Sequence, residues 1–176
     1  MRNVETQNKT RLIAISALLA ALVFLATAYI LHIPMGGNGG YVHVGDAFIY
    51  LAAVILPTPY AMAAAAIGAG LADVATGAAI WAIPTMIIKP ILVLFFTNKT
   101  EKIINKRNII ATIIAGIVGT VLYMIAEGIM IGSMQAAFVM SLVSLVQPLG
   151  SAIVFIIVGV AFDKAKIKTK YNLLAA

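Results

Sequence analysis

The sequence predicts an all-α membrane protein, a compact bundle of six transmembrane helices whose N- and C-termini both lie in the cytoplasm. Composition is the first observation behind this class: of 176 residues, 62% are hydrophobic and 10% are charged, and the mean hydropathy is +1.06. A soluble domain averages about 45–50% apolar and about 25% charged residues, so this chain has too few charges to cover a surface in water. The placement of the basic residues is the second observation.

Six apolar segments joined by short turns account for almost the whole chain. A membrane helix needs about 20 mainly apolar residues, so 176 residues have room for six short helices in a single domain covering residues 1–176. The apolar stretch at the N-terminus is longer than the about 7–15 residues of a signal-peptide core, which predicts a retained first helix. The predicted segments are 11–31, 44–56, 60–78, 80–97, 109–131 and 136–162.

Prolines and glycines mark the ends of these segments. Pro57 separates the second segment from the third, because proline breaks a helix and restricts the residue before it. Gly77 is predicted to end the third segment, and Gly132 to turn the chain from the fifth into the sixth. Pro90 and Pro148 lie inside segments, where each leaves one backbone carbonyl without its helical partner.

Eleven of the twelve basic residues flank the segments in three clusters. With six crossings all three clusters fall on one side, which the positive-inside rule assigns to the cytoplasm. The opposite loops 32–43 and 132–135 contain no Lys or Arg. The net charge of +6 is therefore assigned to membrane orientation and lipid headgroups, and no nucleic acid is expected as a partner. The clusters consist of Arg2, Lys9, Arg11, Lys99, Lys102, Lys106, Arg107, Lys164, Lys166, Lys168 and Lys170.

Four charged residues lie inside the apolar segments: Asp46, Asp73, Lys89 and Glu127. A charge at the bilayer centre costs at least ~2.5–3.5 kcal/mol, so such residues face the protein interior, pair with one another or line a polar cavity. A helical rise of ~1.5 Å per residue places all four in the outer half of the membrane or near its middle. One lysine cannot neutralise three carboxylates, so at least one acid is protonated, hydrated or available to a ligand.

Three of these charges, Asp46, Asp73 and Lys89, also have a structural interpretation. Lys89 could form an interhelical ion pair with Asp73 or with Asp46 and so lock the bundle. Asp46 could instead lie at the N-terminus of the second helix, where an anion is favoured. We predict that Asp46 and Asp73 are structural charges, and that Glu127 contacts a ligand.

Further polar and aromatic residues lie near these charges. Tyr123 precedes Glu127 by four residues and shares its helical face. Gln147 lies beside a proline in the sixth segment. Trp81 and Tyr41 fall at the predicted outer boundary, where they belong either to the aromatic belt of the interface or to a stacking surface for a planar ligand.

The sequence lacks the motifs of the common enzyme and metal sites. It has no cysteine, no G-x-x-x-x-G-K-[ST] loop, no G-x-S-x-G and no H-E-x-x-H. Its two histidines, His32 and His43, lie in one outer loop without an acidic pair beside them, so His43 is a loop hydrogen-bonder or a ligand contact. We therefore predict no catalysis, no metal site and no cofactor.

Small residues recur at a spacing of four. Ala17 and Ala21 form an Ala-x-x-x-Ala spacing in the first segment, and the third segment repeats the pattern along its length. Such spacing lets helix backbones approach closely in lipid. For the third segment the pattern predicts packing within the bundle, and for the first it predicts either packing or docking to another membrane protein.

The stretch GYVHVGDAFIYLAAVILPTPYAMAAAAIGAGLADVATG, followed by WAIPTMIIKPI, resembles the S components of energy-coupling factor (ECF) transporters. Within them it resembles the riboflavin, hydroxymethylpyrimidine and vitamin B6 branch, in which a G-Y-x-H-x-G-D loop, an A-D in helix three and an I-K in helix four recur. The resemblance covers nearly the whole chain. It implies a multi-pass protein of the bacterial plasma membrane that binds a vitamin outside and docks on a T subunit with two ATP-binding-cassette ATPase subunits.

The resemblance also implies roles for particular residues. Ala17 and Ala21 would face the T subunit, and the ligand pocket would lie between the first loop and the outer halves of helices four to six. The glycine-rich first loop would be a lid over that pocket. The implied pocket residues are Tyr41, His43, Trp81, Lys89, Tyr123, Glu127 and Gln147.

The leading hypothesis is a substrate-binding subunit, not an enzyme, that captures hydroxymethylpyrimidine or pyridoxine. Riboflavin or another small vitamin is the alternative ligand. A stand-alone proton-coupled carrier, with Glu127 or Asp73 as the proton site, is the rival mechanism. The third hypothesis is a membrane scaffold with buried ion pairs and no ligand.

Overall fold

The protein is a bundle of helices with one short β-hairpin at one end, which we call the hairpin end. The computed structural model describes the backbone of residues 2–35 and 40–171 and the side chains of residues 9–34 and 41–171. The elements are α1 (Arg2–Ala28), β1 (Ile33–Met35), β2 (Gly40–Val42), α2 (Asp46–Ile55), α3 (Thr58–Ala75), a 3-10 turn (Ala79–Trp81), α4 (Ala82–Val93), α5 (Lys106–Ile131), α6 (Met134–Ser144), α7 (Val146–Lys164) and α8 (Ile167–Lys170).

The helical content supports the predicted all-α membrane class. Helices make up 78% of the chain. Among the residues that the structure describes, three stretches are long and apolar enough to cross a membrane: Lys9–Ala28, Lys106–Ile131 and Met134–Lys164. Two shorter apolar helices are Asp46–Ile55 and Ala79–Val93. The count of six spans and the cytoplasmic location of both termini stay predictions.

The predicted glycine breaks fall where the helices end. Gly77 follows α3 with a φ of +84°, and Gly132 ends α5 with a φ of +70°. Both lie in the left-handed region, which glycine adopts without the steric cost of a Cβ atom. Ser133 then caps α6, because its hydroxyl accepts a hydrogen bond from the backbone N–H of Ala136 at 3.3 Å.

The predicted sixth segment corresponds to one apolar stretch, Met134–Lys164. Its helical hydrogen bonding is interrupted at Leu145, between α6 and α7, although the backbone of Leu145 stays helical with φ −58° and ψ −20°. Pro148 lies in the first turn of α7, where its missing N–H removes the bond to the carbonyl of Ser144. Pro90 behaves differently, since α4 continues past it to Val93.

Two other predicted boundaries also differ from the structure. Helix α1 begins at Arg2 and not at residue 11, because its polar first residues continue the helix beyond the apolar segment. The glycine-rich outer loop, for which the sequence predicted no strands, contains the antiparallel pair β1–β2 with Ile33 opposite Val42. The glycines at 36–39, on which the prediction of a lid depends, lie outside the described residues.

Helix α3 packs between α1 and α4 through its small side chains. Ala61, Ala65 and Ala69 are fully buried. A Cβ atom on Gly68 would lie 2.5 Å from the carbonyl oxygen of Ala20 and 2.8 Å from the Cβ of Val23. The small-residue stripe of the third segment therefore packs within the bundle, as the sequence predicts.

Helix α2 is the most enclosed element, with nine of its ten residues buried. An aromatic cluster holds it in place: the ring of Tyr50 stacks on Phe96 at 4.8 Å between centroids and meets Phe155 edge-on at 5.9 Å. This short and mainly apolar helix stays buried because neighbouring helices cover nine of its ten residues. Its first residue, Asp46, is its only charged residue, and the partners of Asp46 are described below.

The end of the bundle opposite the hairpin is held by side chains that bind loop backbone. Asn108 pairs with both backbone polar atoms of Thr97, at 2.9 and 3.1 Å. Asp163 accepts two backbone N–H groups at 2.7 and 2.9 Å. Lys168 was predicted to contact lipid headgroups, but it is 2% exposed and donates to the carbonyls of Asn98 and Thr100. This prediction was wrong because α8 folds the lysine back over the loop.

We expect Gly68→Ala to destabilise the bundle, because the added methyl group would overlap the backbone of α1. Overpacking of this kind costs about 1–3 kcal/mol. The measurement is thermal unfolding in detergent. Gly150→Ala is the matched control: its Cβ atom would meet no described atom closer than the Val44 methyl at 3.9 Å. Equal unfolding temperatures for the two variants would contradict the close approach of α1 and α3.

Candidate functional site

A cavity lies beneath the hairpin and reaches towards the middle of the bundle. Helices α1 to α7 and strand β2 all contribute to its lining. Its volume is about 110 Å³, measured as the space open to the centres of water molecules. A single water needs about 10–15 Å³ by that measure, so the cavity has room for a small organic molecule.

A buried ion pair lies in the wall of this cavity. The Nζ atom of Lys89 is 2.6 Å from Oδ1 of Asp46, and both side chains are at most 5% exposed. The other carboxylate oxygen, Oδ2, accepts a hydrogen bond from Nε2 of Gln147 at 2.9 Å. Of the two acids that the sequence left open as partners of Lys89, Asp46 is therefore the one in direct contact. This arrangement ties α4, α2 and α7 together.

Two aromatic rings line the cavity next to this pair. The Nζ atom of Lys89 is 5.0 Å from the ring centroid of Tyr123, within the range of a cation–π interaction. The hydroxyl of Tyr123 donates to Oγ1 of Thr85 at 2.9 Å. The ring of Trp81 is 6.0 Å from that of Tyr123 and tilted by 45°. The two rings therefore offer apolar faces, inclined to each other, close to a positive charge.

The hairpin is fastened to the bundle above the cavity. The hydroxyl of Tyr41 donates to Oδ1 of Asp73 on α3. Burial and the nearby Asp73 carboxylate raise the pKa of Tyr41 above its usual range, so its hydroxyl stays a donor. Nδ1 of His43 accepts the backbone N–H of Gly45 at 2.9 Å, and burial lowers the pKa of His43 to about 3. The imidazole therefore carries no charge at neutral pH.

Glu127 borders the cavity from α5, where it is buried. It shares one face of this helix with Gly116, Thr120 and Tyr123, at spacings of three and four residues. Two glycines of this wall, Gly116 and Gly119, let α5 approach its neighbours closely: an added Cβ atom would lie 2.9 Å from the Cβ of Pro148 and 3.4 Å from a methyl of Leu92. The α5 wall therefore combines close packing against α7 and α4 with one carboxylate beside the cavity.

The structure brings the predicted pocket residues together. All seven residues that the resemblance implied line the cavity, and Asp46 and Asp73 line it too. Whether they contact a ligand stays a prediction. Ala17 and Ala21 do not line the cavity and are exposed on the surface of α1. Among the described residues, no group of three His, Cys, Asp or Glu side chains is arranged to hold a metal ion.

More helices line the cavity than the sequence predicted. The expected pocket lay between the first loop and helices four to six, but Thr27 of α1, Tyr50 of α2 and Ala69 of α3 also line it. Single hydroxyl groups in apolar helices are weak signals, which is why Thr27 and Tyr50 were missed. The sequence offered a stronger signal on α5, where Gly116 and Thr120 continue the helical face of Tyr123.

The fold and the cavity define a class: a membrane-embedded helical protein with a buried, polar binding cavity at one end. The comparison with protein families specifies it further. A sequence model of the ECF-type riboflavin transporter S component family matches residues 7–167, so the chain belongs to this family. The comparisons with curated proteins and with solved structures gave no match.

Membership confirms the broad prediction of function. S components are the substrate-binding subunits of ECF transporters, which take up vitamins, and they are not enzymes. They are membrane proteins that work with a T subunit and ATPases. The branch of the family and the particular vitamin stay predictions.

We expect Lys89→Met to destabilise the protein strongly, because the Asp46 carboxylate would stay buried without its cation. Breaking a buried ion pair in this way costs about 3–5 kcal/mol. The Lys89→Met/Asp46→Asn double variant should recover most of the loss, since it removes both charges. Thermal unfolding in detergent measures the effect, with Lys99→Met at an exposed position as the control. A double variant as unstable as Lys89→Met would rule out the pair as the cause.

Proposed function

We propose that the protein captures a small hydroxylated pyrimidine or pyridine, hydroxymethylpyrimidine or pyridoxine, in the cavity beneath the hairpin. It delivers this ligand through an ATP-driven ECF complex and performs no chemistry on it. The observation that carries the proposal is a cavity with an aromatic wall, one lysine and three carboxylates in a chain of this family. Membership of the family also favours partner-driven uptake over a stand-alone proton-coupled carrier.

The lining chemistry suits a planar ring with polar edges. Trp81 and Tyr123 offer flat apolar surfaces to its face, and such pockets combine apolar walls with a few placed polar groups. Tyr41, Glu127 and Gln147 offer polar groups to its edge. A volume of about 110 Å³ supports a ligand with one ring.

Riboflavin is the second candidate ligand, because the family that matches the chain is described as a riboflavin transporter S component. Its three fused rings and ribityl chain need more space than pyridoxine does. A cavity of about 110 Å³ therefore favours the smaller ligand. Direct binding measurements with the purified protein distinguish the two ligand classes.

The orientation follows from the charges of the loops. The basic clusters lie at the end opposite the hairpin, and the positive-inside rule assigns that end to the cytoplasm. The hairpin end then faces outward and the cavity opens towards vitamin outside the cell. We propose that the exposed Ala17 and Ala21 of α1 face the T subunit, because small side chains let helices approach closely in lipid.

We expect the purified protein to bind at least one of pyridoxine, hydroxymethylpyrimidine and riboflavin in titration calorimetry. Glu127→Ala should lower the affinity at least about tenfold, equivalent to about 1.4 kcal/mol. Glu101→Ala, at an exposed position outside the cavity, is the control. Unchanged affinity would remove Glu127 from the binding site. Absence of binding by all three compounds would reject the proposed ligand class.

We expect bulky side chains at the small positions of α1 to block docking and spare binding. The double variant Ala17→Trp/Ala21→Trp should lose co-purification with the T subunit and ATPases, and lose vitamin uptake into vesicles. Its ligand affinity should equal that of the unaltered protein. Ile157→Trp, on the exposed surface of α7, should retain both activities. Normal uptake by the double tryptophan variant would exclude this face as the docking surface.

A further inference from the structure

Four buried side-chain oxygens have no hydrogen-bond partner among the described residues: Oγ1 of Thr27, Oη of Tyr50, Oδ2 of Asp73 and Oγ of Ser151. Nearly all buried polar groups in proteins are hydrogen-bonded, because an unpaired one has lost its water without replacement. Each exception therefore needs an explanation.

The unpaired oxygens are concentrated in one place. Thr27, Tyr50 and Asp73 all line the cavity, whereas Ser151 does not. Their side chains come from α1, α2 and α3, outside the α4–α7 walls that carry most of the predicted pocket residues. Their exposure is at most 4%, so bulk water does not reach them. The cavity is the space that all three residues border, so one molecule in it would be within reach of all three.

Only one of the two carboxylate oxygens of Asp73 has a hydrogen-bond partner. One oxygen accepts the hydroxyl of Tyr41, and the other has no hydrogen bond. The hydroxyl of Thr85 lies beside this carboxylate and, because it only accepts from Tyr123, keeps its own proton available, but its geometry does not satisfy the free oxygen. In its ionised form a carboxylate only accepts hydrogen bonds, so in that form the missing partner is an N–H or O–H donor.

We propose that Thr27, Tyr50 and Asp73 form a second binding wall, which we call the α1–α3 wall, and that Asp73 accepts a hydrogen bond from the ligand. This inference rests on the proposed function and specifies the ligand further. The hydroxyls of Thr27 and Tyr50 both donate and accept, so they match a hydroxymethyl group or a ring nitrogen. Asp73 then has a ligand-binding role and is not the purely structural charge that the sequence predicted.

The charges of the cavity specify the ligand class as well. Among the described lining residues, the acids Asp46, Asp73 and Glu127 outnumber the single lysine, Lys89. That lysine is already paired with Asp46 at 2.6 Å, and His43 is neutral. A phosphate group would meet carboxylates and no spare cation. The cavity therefore selects the unphosphorylated form of a vitamin, with its donors directed at the α1–α3 wall.

The test compares Tyr50→Phe, Thr27→Val and Asp73→Asn with Ser151→Ala, which removes an unpaired oxygen outside the cavity. We expect Tyr50→Phe and Thr27→Val to keep or raise the unfolding temperature of the unliganded protein, because each removes an unpaired group. Both variants should nevertheless bind riboflavin, pyridoxine or hydroxymethylpyrimidine about tenfold more weakly than the unaltered protein does. Asp73→Asn should weaken binding by at least the same factor. Ser151→Ala should leave the affinity unchanged.

The charge selection is tested with matched pairs: pyridoxine and its 5′-phosphate, and riboflavin and flavin mononucleotide. We expect the unphosphorylated member to bind about 100-fold more tightly, and Asp73→Asn to narrow that difference. Equal affinity within a pair would overturn the selection. If the unaltered protein binds a vitamin and all three variants behave like Ser151→Ala, the α1–α3 wall is rejected and the proposed function stands. If the unaltered protein binds none of these compounds, both are rejected.

Discussion

The buried contact between Lys89 and Asp46 is the interaction on which the rest of the bundle depends. Neither charge could stay among apolar helices alone, since each would lose its hydration without compensation. Together with Gln147 they join α4, α2 and α7 through one carboxylate. Asp46 is the first residue of α2, so this contact anchors the start of that short helix to α4 and α7.

Helix α2 connects this polar contact to the apolar core. Asp46 and Tyr50 are four residues apart and share one helical face, so both line the cavity. The ring of Tyr50 stacks on Phe96 while its hydroxyl stays unpaired. One side chain thus belongs to the core through its ring and to the cavity through its oxygen. The cavity is consequently part of the packing of the bundle, with rigid walls on α2 and α3, and not a gap between loosely packed helices.

The sequence predicted the parts of the site that depend on the cost of burying charge. Lys89, Asp46, Asp73 and Glu127 had to face inward, and they line one cavity. Tyr123 followed from its spacing to Glu127. The hydroxyls of Thr27 and Tyr50 were missed, because burying a single hydroxyl costs much less free energy than burying a charge, so hydroxyls occur at many positions in apolar helices. The burial of Lys168 was also missed, since a lysine in a polar tail is expected to remain in water or at the lipid headgroups.

The sequence by itself determined that the chain is a helical membrane protein, where α5 ends at Gly132, and that its interior charges are unbalanced. These features follow from composition, from backbone conformations open only to glycine, and from the cost of an unpaired ion in lipid. Only the tertiary structure decided that Lys89 pairs with Asp46 and not Asp73, that Lys168 folds back over a loop, and that residues of α1 to α3 also line the cavity. These features depend on which helix faces contact each other. The spacing of residues along each helix is compatible with several such packings, so the sequence does not choose among them.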